Sequence, residues 1–246
     1  MMNTIKSLAL GAAIVCSMTV AGAEAPPTAR AAAPHDLIGY WVSIVTEDWR
    51  YRMMVAPVGD YQGLSLTPQA QEIAHAWNPD TDAAAGLACK AYGAGGIMRM
   101  PTRLHISWVN DNRLSIETDA GKQTREFNFG VEQNRDGAGS LQGVSNARWD
   151  LQREGGRSGP VVNGTLEVVT TSMQPGYFRR NGIPYSEQAT LTEYFELVTE
   201  ANGDQYLIVI AELKDPQYLA QPVLTSTNFK READAAKWNP SDCLAQ

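Results

Sequence analysis

Residues 103–129, RLHISWVNDNRLSIETDAGKQTREFNF, decide the fold, because they contain three short segments of alternating apolar and polar residues. The segments are separated by NDN at residues 110–112 and by GK at 121–122, which are turn-forming sequences. Alternation with a period of two predicts β-strands that bury one face, and short turns predict antiparallel neighbours.

The first turn predicts the strand register. A three-residue loop at 110–112 sets Val109 opposite Arg113, whereas a two-residue loop mixes the two faces. On one face the predicted neighbours are Trp108 with Leu114, Ile106 with Ile116, and Leu104 with Thr118. On the other face they are His105 with Glu117 and Arg103 with Asp119, which are favourable cross-strand pairs.

The second turn extends the same face. A type II′ turn at residues 121–122 sets Ile116 beside Phe127, and Leu114 beside Phe129. The same register places Thr118 opposite Arg125.

Strand patterns continue along the chain, at residues 39–55, 144–152, 164–172, 189–199, 205–213 and 222–231. Nine or ten strands with short connections predict a mainly β protein, an antiparallel meander closed into a barrel over residues 36–246. One short helix is predicted at 68–77, where Thr67 caps and Pro68 occupies the first turn. Because 205–213 is apolar on both faces, we expect this helix to cover it from outside.

The N-terminus has the pattern of a cleaved secretory signal over residues 1–23, with an apolar run at 8–20. That run is shorter than the roughly 20 residues that cross a bilayer, so the sequence predicts a periplasmic or secreted protein that does not span the membrane. The proline-containing segment 24–35 is predicted to be a tether. A formal charge of −7 argues against nucleic acid as a partner.

Two cysteines remain after removal of the signal, Cys89 and Cys243, and in an oxidising compartment they favour a disulfide. A metal site at these cysteines lacks companion ligands at close spacing, so neither a metal nor a cofactor is predicted. The usual serine-nucleophile, metalloprotease and dinucleotide motifs are missing from the sequence.

Residues 39–41, GYW, form a G-x-W motif at the start of the first strand, and in this setting the chain resembles the lipocalins and the wider calycin barrels. The resemblance implies that Trp41 packs across the closed end of a barrel and that Lys230 or Arg231 stacks on it. It also implies binding of a small apolar molecule inside the barrel, with no catalytic residues to carry over. The insert at 56–100 departs from the compact lipocalin pattern.

Every second residue of the following strands extends the inner face, and these residues are predicted to line a ligand-binding cavity. They are Trp108, Arg125, Phe127, Phe129, Trp149, Glu193 and Phe195. Residues 173–186 form a distinctive loop with three aromatic residues and two arginines, a composition suited to closing a barrel mouth over an amphipathic or anionic ligand. From this loop Tyr177 and Tyr185 are added to the predicted ligand-binding residues.

Arg125 and Glu193 are the ionisable residues of the inner face, and neither should be buried unpaired. They form a structural pair, or they orient a polar group of a ligand, or an isolated Glu193 acts as a general acid or base. The outer row with His105 and Glu117 is either an acid-base or metal cluster or a solvated face of cross-strand pairs.

Three functions follow from these patterns. The first is an exported barrel that binds a small hydrophobic or amphipathic molecule in its lumen. The second is an enzyme of the isomerase, lyase or hydratase type that acts on such a molecule, and the third is an envelope protein-interaction module. The sequence assigns neither a ligand nor an oligomeric state.

Overall fold

The computed structural model describes residues 26–130 and 139–245. In this part of the chain nine strands form a closed barrel, as the sequence predicts, and two more form a separate hairpin. The barrel strands are β1 Gly39–Ile44, β2 Arg103–Asn110, β3 Arg113–Thr118, β4 Gln123–Phe129, β5 Val144–Arg153, β6 Val161–Thr171, β9 Thr190–Thr199, β10 Gln205–Lys214 and β11 Val223–Glu232. The hairpin is β7 Gly176–Arg179 and β8 Ile183–Tyr185. The helices are α1 Trp49–Arg52, α2 Pro68–Ala76, α3 Pro79–Ala84 and α4 Ala94–Ile97, with 3-10 turns at Ala88–Tyr92 and Ala235–Lys237.

The barrel follows the order β1-β11-β10-β9-β6-β5-β4-β3-β2 and closes between β2 and β1. Neighbouring strands are antiparallel except β4 and β5, which pair in parallel through Phe127 with Ser145 and Phe129 with Ala147. The prediction of a wholly antiparallel meander is therefore wrong at this one junction. The hairpin β7–β8 lies outside the ring, so β6 pairs directly with β9.

The register predicted for the first turn is confirmed from Leu104 with Thr118 to Trp108 with Leu114. The turn itself is different, because Asn110 rather than Val109 pairs with Arg113, and the ladder shifts at Val109. The irregularity leaves Val109 without a partner in the ladder, so the side chains on either side of the turn remain on matching faces.

The register predicted for the second turn is wrong by two residues. Leu114 pairs with Phe127, Ile116 with Arg125 and Thr118 with Gln123. The connection is longer because the Asp119 carboxylate accepts hydrogen bonds from Thr102 Oγ1 at 2.8 Å and from the backbone N–H of Arg103 at 2.7 Å. A shift of two keeps each side chain on its original face, so the predicted inner face survives.

Helix α2 begins as predicted, with the side chain of Thr67 accepting a hydrogen bond from the N–H of Ala70. It does not cover the outer face of β10, where Ile210 is 41% exposed. Instead it packs beside β8, with Ala70 and Ala74 in the same apolar cluster as Ile183. The strand predicted at 39–55 ends at Ile44, before α1.

One end of the barrel is closed by Trp41, which is completely buried and donates its indole N–H to the carbonyl of Leu37. The guanidinium of Arg231 lies 4.3 Å from the centre of the Trp41 ring, as the lipocalin resemblance implied. Ala29, within the predicted tether, is buried in the core, and its carbonyl accepts a hydrogen bond from Trp149 Nε1 at 2.8 Å. The tether is therefore packed against the barrel at this point, while the predicted signal at 1–23 lies outside the described residues.

The opposite end of the barrel, where β11 begins, is the mouth. Here lie the insert between β1 and β2 and the hairpin β7–β8. The predicted disulfide between Cys89 and Cys243 is present, with Cα atoms 5.1 Å apart. It fastens the C-terminal segment, which passes over Tyr40 at Trp238 and bridges Ala120 at Ser241, to the insert. No helix in the described part of the chain is both long and apolar enough to cross a membrane.

Candidate functional site

Aromatic side chains fill the interior of the barrel. The Phe127 and Phe195 rings lie 5.4 Å apart, and Phe129 lies 5.6 Å from both Trp108 and Trp149. Phe127, Phe129 and Phe195 are at most 7% exposed. The residues predicted to line a ligand cavity are therefore packed against one another.

Arg125 and Glu193 form a buried ion pair deep in this interior. The Arg125 guanidinium donates to both carboxylate oxygens of Glu193, with 2.9 Å from Nη1 to Oε1, and both residues are at most 1% exposed. Arg125 Nη2 lies 3.4 Å from Thr170 Oγ1. The two residues are therefore paired rather than isolated, and each oxygen of the carboxylate already accepts a hydrogen bond.

A small cavity reaches Glu193 from the mouth, between Met98, Phe178 and Leu191. Its volume is about 10 Å³, which is room for about one water molecule. A substrate therefore has no space beside Glu193 in this conformation.

Tyr177 belongs to a polar cluster under the β7–β8 hairpin. Its hydroxyl donates to Asp82 Oδ2 at 2.7 Å, the same oxygen that accepts the Trp77 indole N–H at 2.8 Å. Lys90 Nζ donates to the Tyr177 hydroxyl at 3.2 Å. Burial, followed by the hydrogen bond to Asp82, raises the pKa of Tyr177, so the phenol is neutral and serves to hold the hairpin on the insert.

Tyr185 is completely buried among three glycines. A Cβ atom added to Gly93 or Gly176 would lie 2.2 or 2.4 Å from the Tyr185 hydroxyl oxygen, so larger residues at these positions collide with it. Burial raises the pKa of Tyr185. Neither Tyr185 nor Tyr177 lines the open space at the mouth, and both are part of its scaffold.

The ligand-sized space at the mouth is a cleft of about 380 Å³, within the roughly 300–1,000 Å³ of small-molecule pockets. We call it the mouth cleft. The insert, the hairpin and the start of β11 line it, through Asp48, Arg50, Tyr51, Gln62, Gly63, Leu64, Arg99, Phe178, Arg179, Val223, Leu224 and Thr225.

Arg179 is the most unusual residue of the mouth cleft. It is 7% exposed, yet among the described residues no carboxylate lies within ion-pairing distance of it. Its guanidinium carbon lies 3.7 Å from the Tyr51 ring centre, and its Nη1 donates to the carbonyl of Gln62 at 3.0 Å. Its Nε has no hydrogen-bond partner within residues 26–130 and 139–245. Burial lowers the pKa of Arg179, which means that the surroundings penalise its charge.

The other charges around the cleft are paired. Arg99 forms an ion pair with Asp48 and lies 4.7 Å above the Phe178 ring, and Arg50 pairs with Asp60 at 2.7 Å. Arg179 is thus a buried cation that borders open space and forms no direct ion pair among the described residues, although the charges of Asp48 and Asp60 stabilise it from a greater distance. A bound anion would form the direct, hydrogen-bonded pair that these two carboxylates do not form.

The sequence indicated this site only through the composition of residues 173–186. It pointed to closure over an amphipathic or anionic ligand, but it selected Tyr177 and Tyr185 rather than Phe178 and Arg179. The outer pair of His105 and Glu117 is present at 2.7 Å on the barrel wall, where both side chains are partly exposed. Comparison of the chain with protein-family models, with curated proteins and with solved structures finds no match.

Proposed function

We propose that this protein binds a small amphipathic molecule with an anionic group, and that the molecule occupies the mouth cleft. The observation that carries the proposal is Arg179, a buried guanidinium that borders the cleft without an ion pair among the described residues. Burying a charge without a partner is costly, so such a group is typical of a site completed by a ligand.

The residues that line the mouth cleft indicate a ligand with a charged head and an apolar tail. A carboxylate or phosphate suits the planar guanidinium of Arg179, which offers several N–H donors in a fixed geometry. Leu64, Phe178 and Val223 supply apolar contacts for the remainder of the molecule. A ligand with a charged head and a short hydrocarbon tail therefore matches the cleft better than a wholly apolar one.

Binding at the mouth refines the lipocalin-like expectation of binding within the lumen. Ligand binding by the predicted lumen residues would require the aromatic interior to open, so we assign the site to the mouth cleft, which is open and borders Arg179. We also propose that the protein acts outside the cytoplasm, periplasmic or secreted, in keeping with the signal pattern at residues 1–23 and with the disulfide.

The test is isothermal titration calorimetry with dodecanoate and with dodecanol, which differ in the head group. We expect dodecanoate to bind at least about tenfold more tightly than dodecanol, because a hydrogen-bonded charge contributes about 1.5–3 kcal/mol. Arg179→Gln should remove most of this difference.

The matched control is Arg153→Gln, because Arg153 is exposed at the closed end and bonds only to the carbonyl of Gly159 among the described residues. This variant should bind dodecanoate as the unaltered protein does. Equal affinity for dodecanoate and dodecanol, or unchanged dodecanoate binding in Arg179→Gln, would contradict the proposal.

A further inference from the structure

Asp48 is the one acidic residue among the described residues that line the mouth cleft. It immediately precedes α1, and its side chain makes no hydrogen bond to the backbone N–H groups of that helix. The side chain extends instead to Arg99, with which it forms an ion pair. Asp48 is 32% exposed in this pair and Arg99 is 9% exposed. The protein therefore already places one anion of its own at the edge of the ligand-sized space.

The partner of Asp48 is a second buried arginine of the cleft. Arg99 lines the mouth cleft, as Arg179 does, and both are buried. The Arg99 guanidinium lies 4.7 Å from the centre of the Phe178 ring, and its ion-pair partner is Asp48. Asp48 thus takes the position at Arg99 that an anionic group of a ligand would otherwise take. Without the charge of Asp48, two buried guanidiniums would border the cleft without a direct ion pair.

The charges at the cleft leave one cation without a direct pair. Arg50 pairs with Asp60 at 2.7 Å and Arg99 pairs with Asp48, whereas Arg179 forms no ion pair among the described residues. A ligand with one negative charge would pair directly with Arg179. A second negative charge on the same head group would have to leave water without a hydrogen-bonded cation, which is costly.

The charge of Asp48 also reaches beyond Arg99. It stabilises Arg179 from a distance greater than that of a direct pair. A head group bound to Arg179 therefore lies within the field of the Asp48 carboxylate. Like charges that lie close together destabilise each other, so this field opposes each additional negative charge on the ligand.

We propose that Asp48 determines the specificity of the mouth cleft, by restricting it to amphiphiles whose head group carries a single negative charge. Carboxylates and phosphate diesters have such head groups, whereas a phosphate monoester carries about two negative charges at pH 8. Asp48 acts through Arg99, which it keeps from meeting the ligand. The inference rests on the proposed function, because it states which anions Arg179 accepts.

The experiment is calorimetry of the full chain at pH 8 with dodecyl phosphate, a monoester, and with methyl dodecyl phosphate, the diester with one charge. Dodecanoate is the reference ligand. Because all titrations are made at one pH, the charge of the free protein is the same in each. We expect the unaltered protein to bind the diester at least about fivefold more tightly than the monoester, because the second charge loses its hydration without gaining a cation.

Asp48→Asn should shift the ratio of the two affinities toward the monoester by about tenfold or more, because Arg99 is then free to donate to the second charge. Asparagine suits this position, since Asp48 has a φ of 52° and asparagine tolerates that left-handed conformation as aspartate does. The extra methyl group of the diester is present in both proteins and does not affect the change in the ratio. Arg99→Met in the Asp48→Asn protein should return the ratio to near its original value, because it removes the freed cation.

The matched control is Asp204→Asn at the closed end of the barrel. Asp204 is 35% exposed and pairs with Lys230 at 2.8 Å, so it resembles Asp48 in exposure and in having a cationic partner. This control should leave the ratio of the two affinities unchanged. Circular dichroism verifies that every variant is folded.

Three results would overturn the role of Asp48: equal or tighter binding of the monoester by the unaltered protein, an unchanged ratio in Asp48→Asn, or the same shift in Asp204→Asn. A shift that persists when Arg99 is replaced would show that Arg99 is not the cation concerned, and the proposal would then be wrong. If neither dodecanoate nor the two phosphates bind to the unaltered protein, the proposed function is wrong as well. If dodecanoate binds but the diester is not preferred to the monoester, only the role of Asp48 is overturned.

Discussion

Two arginines of this protein are both buried, but they have different partners. Arg125, in the barrel interior, is 0% exposed and meets both oxygens of Glu193. Arg179, at the mouth, is 7% exposed and meets an aromatic ring and one carbonyl. The space beside the interior pair is about 10 Å³, whereas the space beside Arg179 is about 380 Å³. The difference separates a charge neutralised within the fold from one suited to an external partner.

The largest effect is expected when the interior pair is broken. Glu193→Ala leaves the guanidinium of Arg125 buried without its counter-ion, which should lower the free energy of unfolding by about 3 to 5 kcal/mol. Equilibrium denaturation in urea measures the change. Glu196→Ala, three residues along β9 and exposed on the outer wall, is the control and should change stability by less than about 0.5 kcal/mol.

Replacing both members of the pair tests whether it is structural. Arg125→Met with Glu193→Leu removes both charges and keeps apolar volume, so most of the lost stability should return. The double variant should also bind dodecanoate normally. If a folded double variant loses dodecanoate binding, the binding site lies in the lumen rather than in the mouth cleft. If Glu193→Ala changes the free energy of unfolding by less than about 1 kcal/mol, Arg125 and Glu193 are not a buried pair.

The next effect concerns the covalent connection at the mouth. Cys89→Ala with Cys243→Ala removes a disulfide that closes a loop with a sequence separation of 154 residues. We expect a loss of about 3 kcal/mol in the free energy of unfolding, within the usual range for a native disulfide. Thermal and urea denaturation measure the loss, with each single cysteine variant as a reference. If the midpoints of thermal and of urea denaturation are both unchanged in the double variant, the other contacts of the C-terminal segment are sufficient to hold it.

A smaller effect on stability is expected at Arg179, in contrast to Glu193. Arg179→Met keeps the length of the side chain over Tyr51 and removes a charge that burial penalises. The free energy of unfolding should stay within about 1 kcal/mol of the original value, while dodecanoate binding falls at least about tenfold. A loss of 3 kcal/mol or more, on the order expected for breaking a buried pair, would show that Arg179 has a structural partner and would remove the contrast with Arg125.

The sequence predicted the interior and not the mouth for a physical reason. Strand periodicity assigns each side chain to a face, so Arg125 and Glu193 could be placed inside even though the second turn was wrong by two residues. That turn depends on hydrogen bonds of Asp119 to Thr102 and Arg103, which the alternation of apolar residues does not encode.

No comparable periodicity exists at the mouth. Arg179 contacts Tyr51 and Gln62, which belong to the insert between β1 and β2 and lie more than a hundred residues away in the chain. Composition could therefore suggest an anionic ligand for the loop at 173–186, but only the tertiary structure distinguishes Arg179 from the tyrosines beside it. The contacts of Ala29 are not encoded by periodicity either, since they depend on Trp149 and Asn112.

The smallest effect on stability is expected at Leu224, which lines the edge of the mouth cleft, is 71% exposed and contributes little to the core. Leu224→Ser should leave the free energy of unfolding within about 0.5 kcal/mol of the original value. Its effect on binding should depend on the tail of the ligand, because the apolar contact that it removes is worth about 1 kcal/mol and exists only if the tail reaches Leu224. Dodecanoate should therefore bind about fivefold more weakly, whereas octanoate should be almost unaffected; Arg179→Gln should weaken both acids alike. Calorimetry with the two acids on the two variants separates recognition of the head from recognition of the tail. If Leu224→Ser weakens octanoate as strongly as dodecanoate, or Arg179→Gln acts on only one of them, the assignment of head and tail within the cleft is wrong.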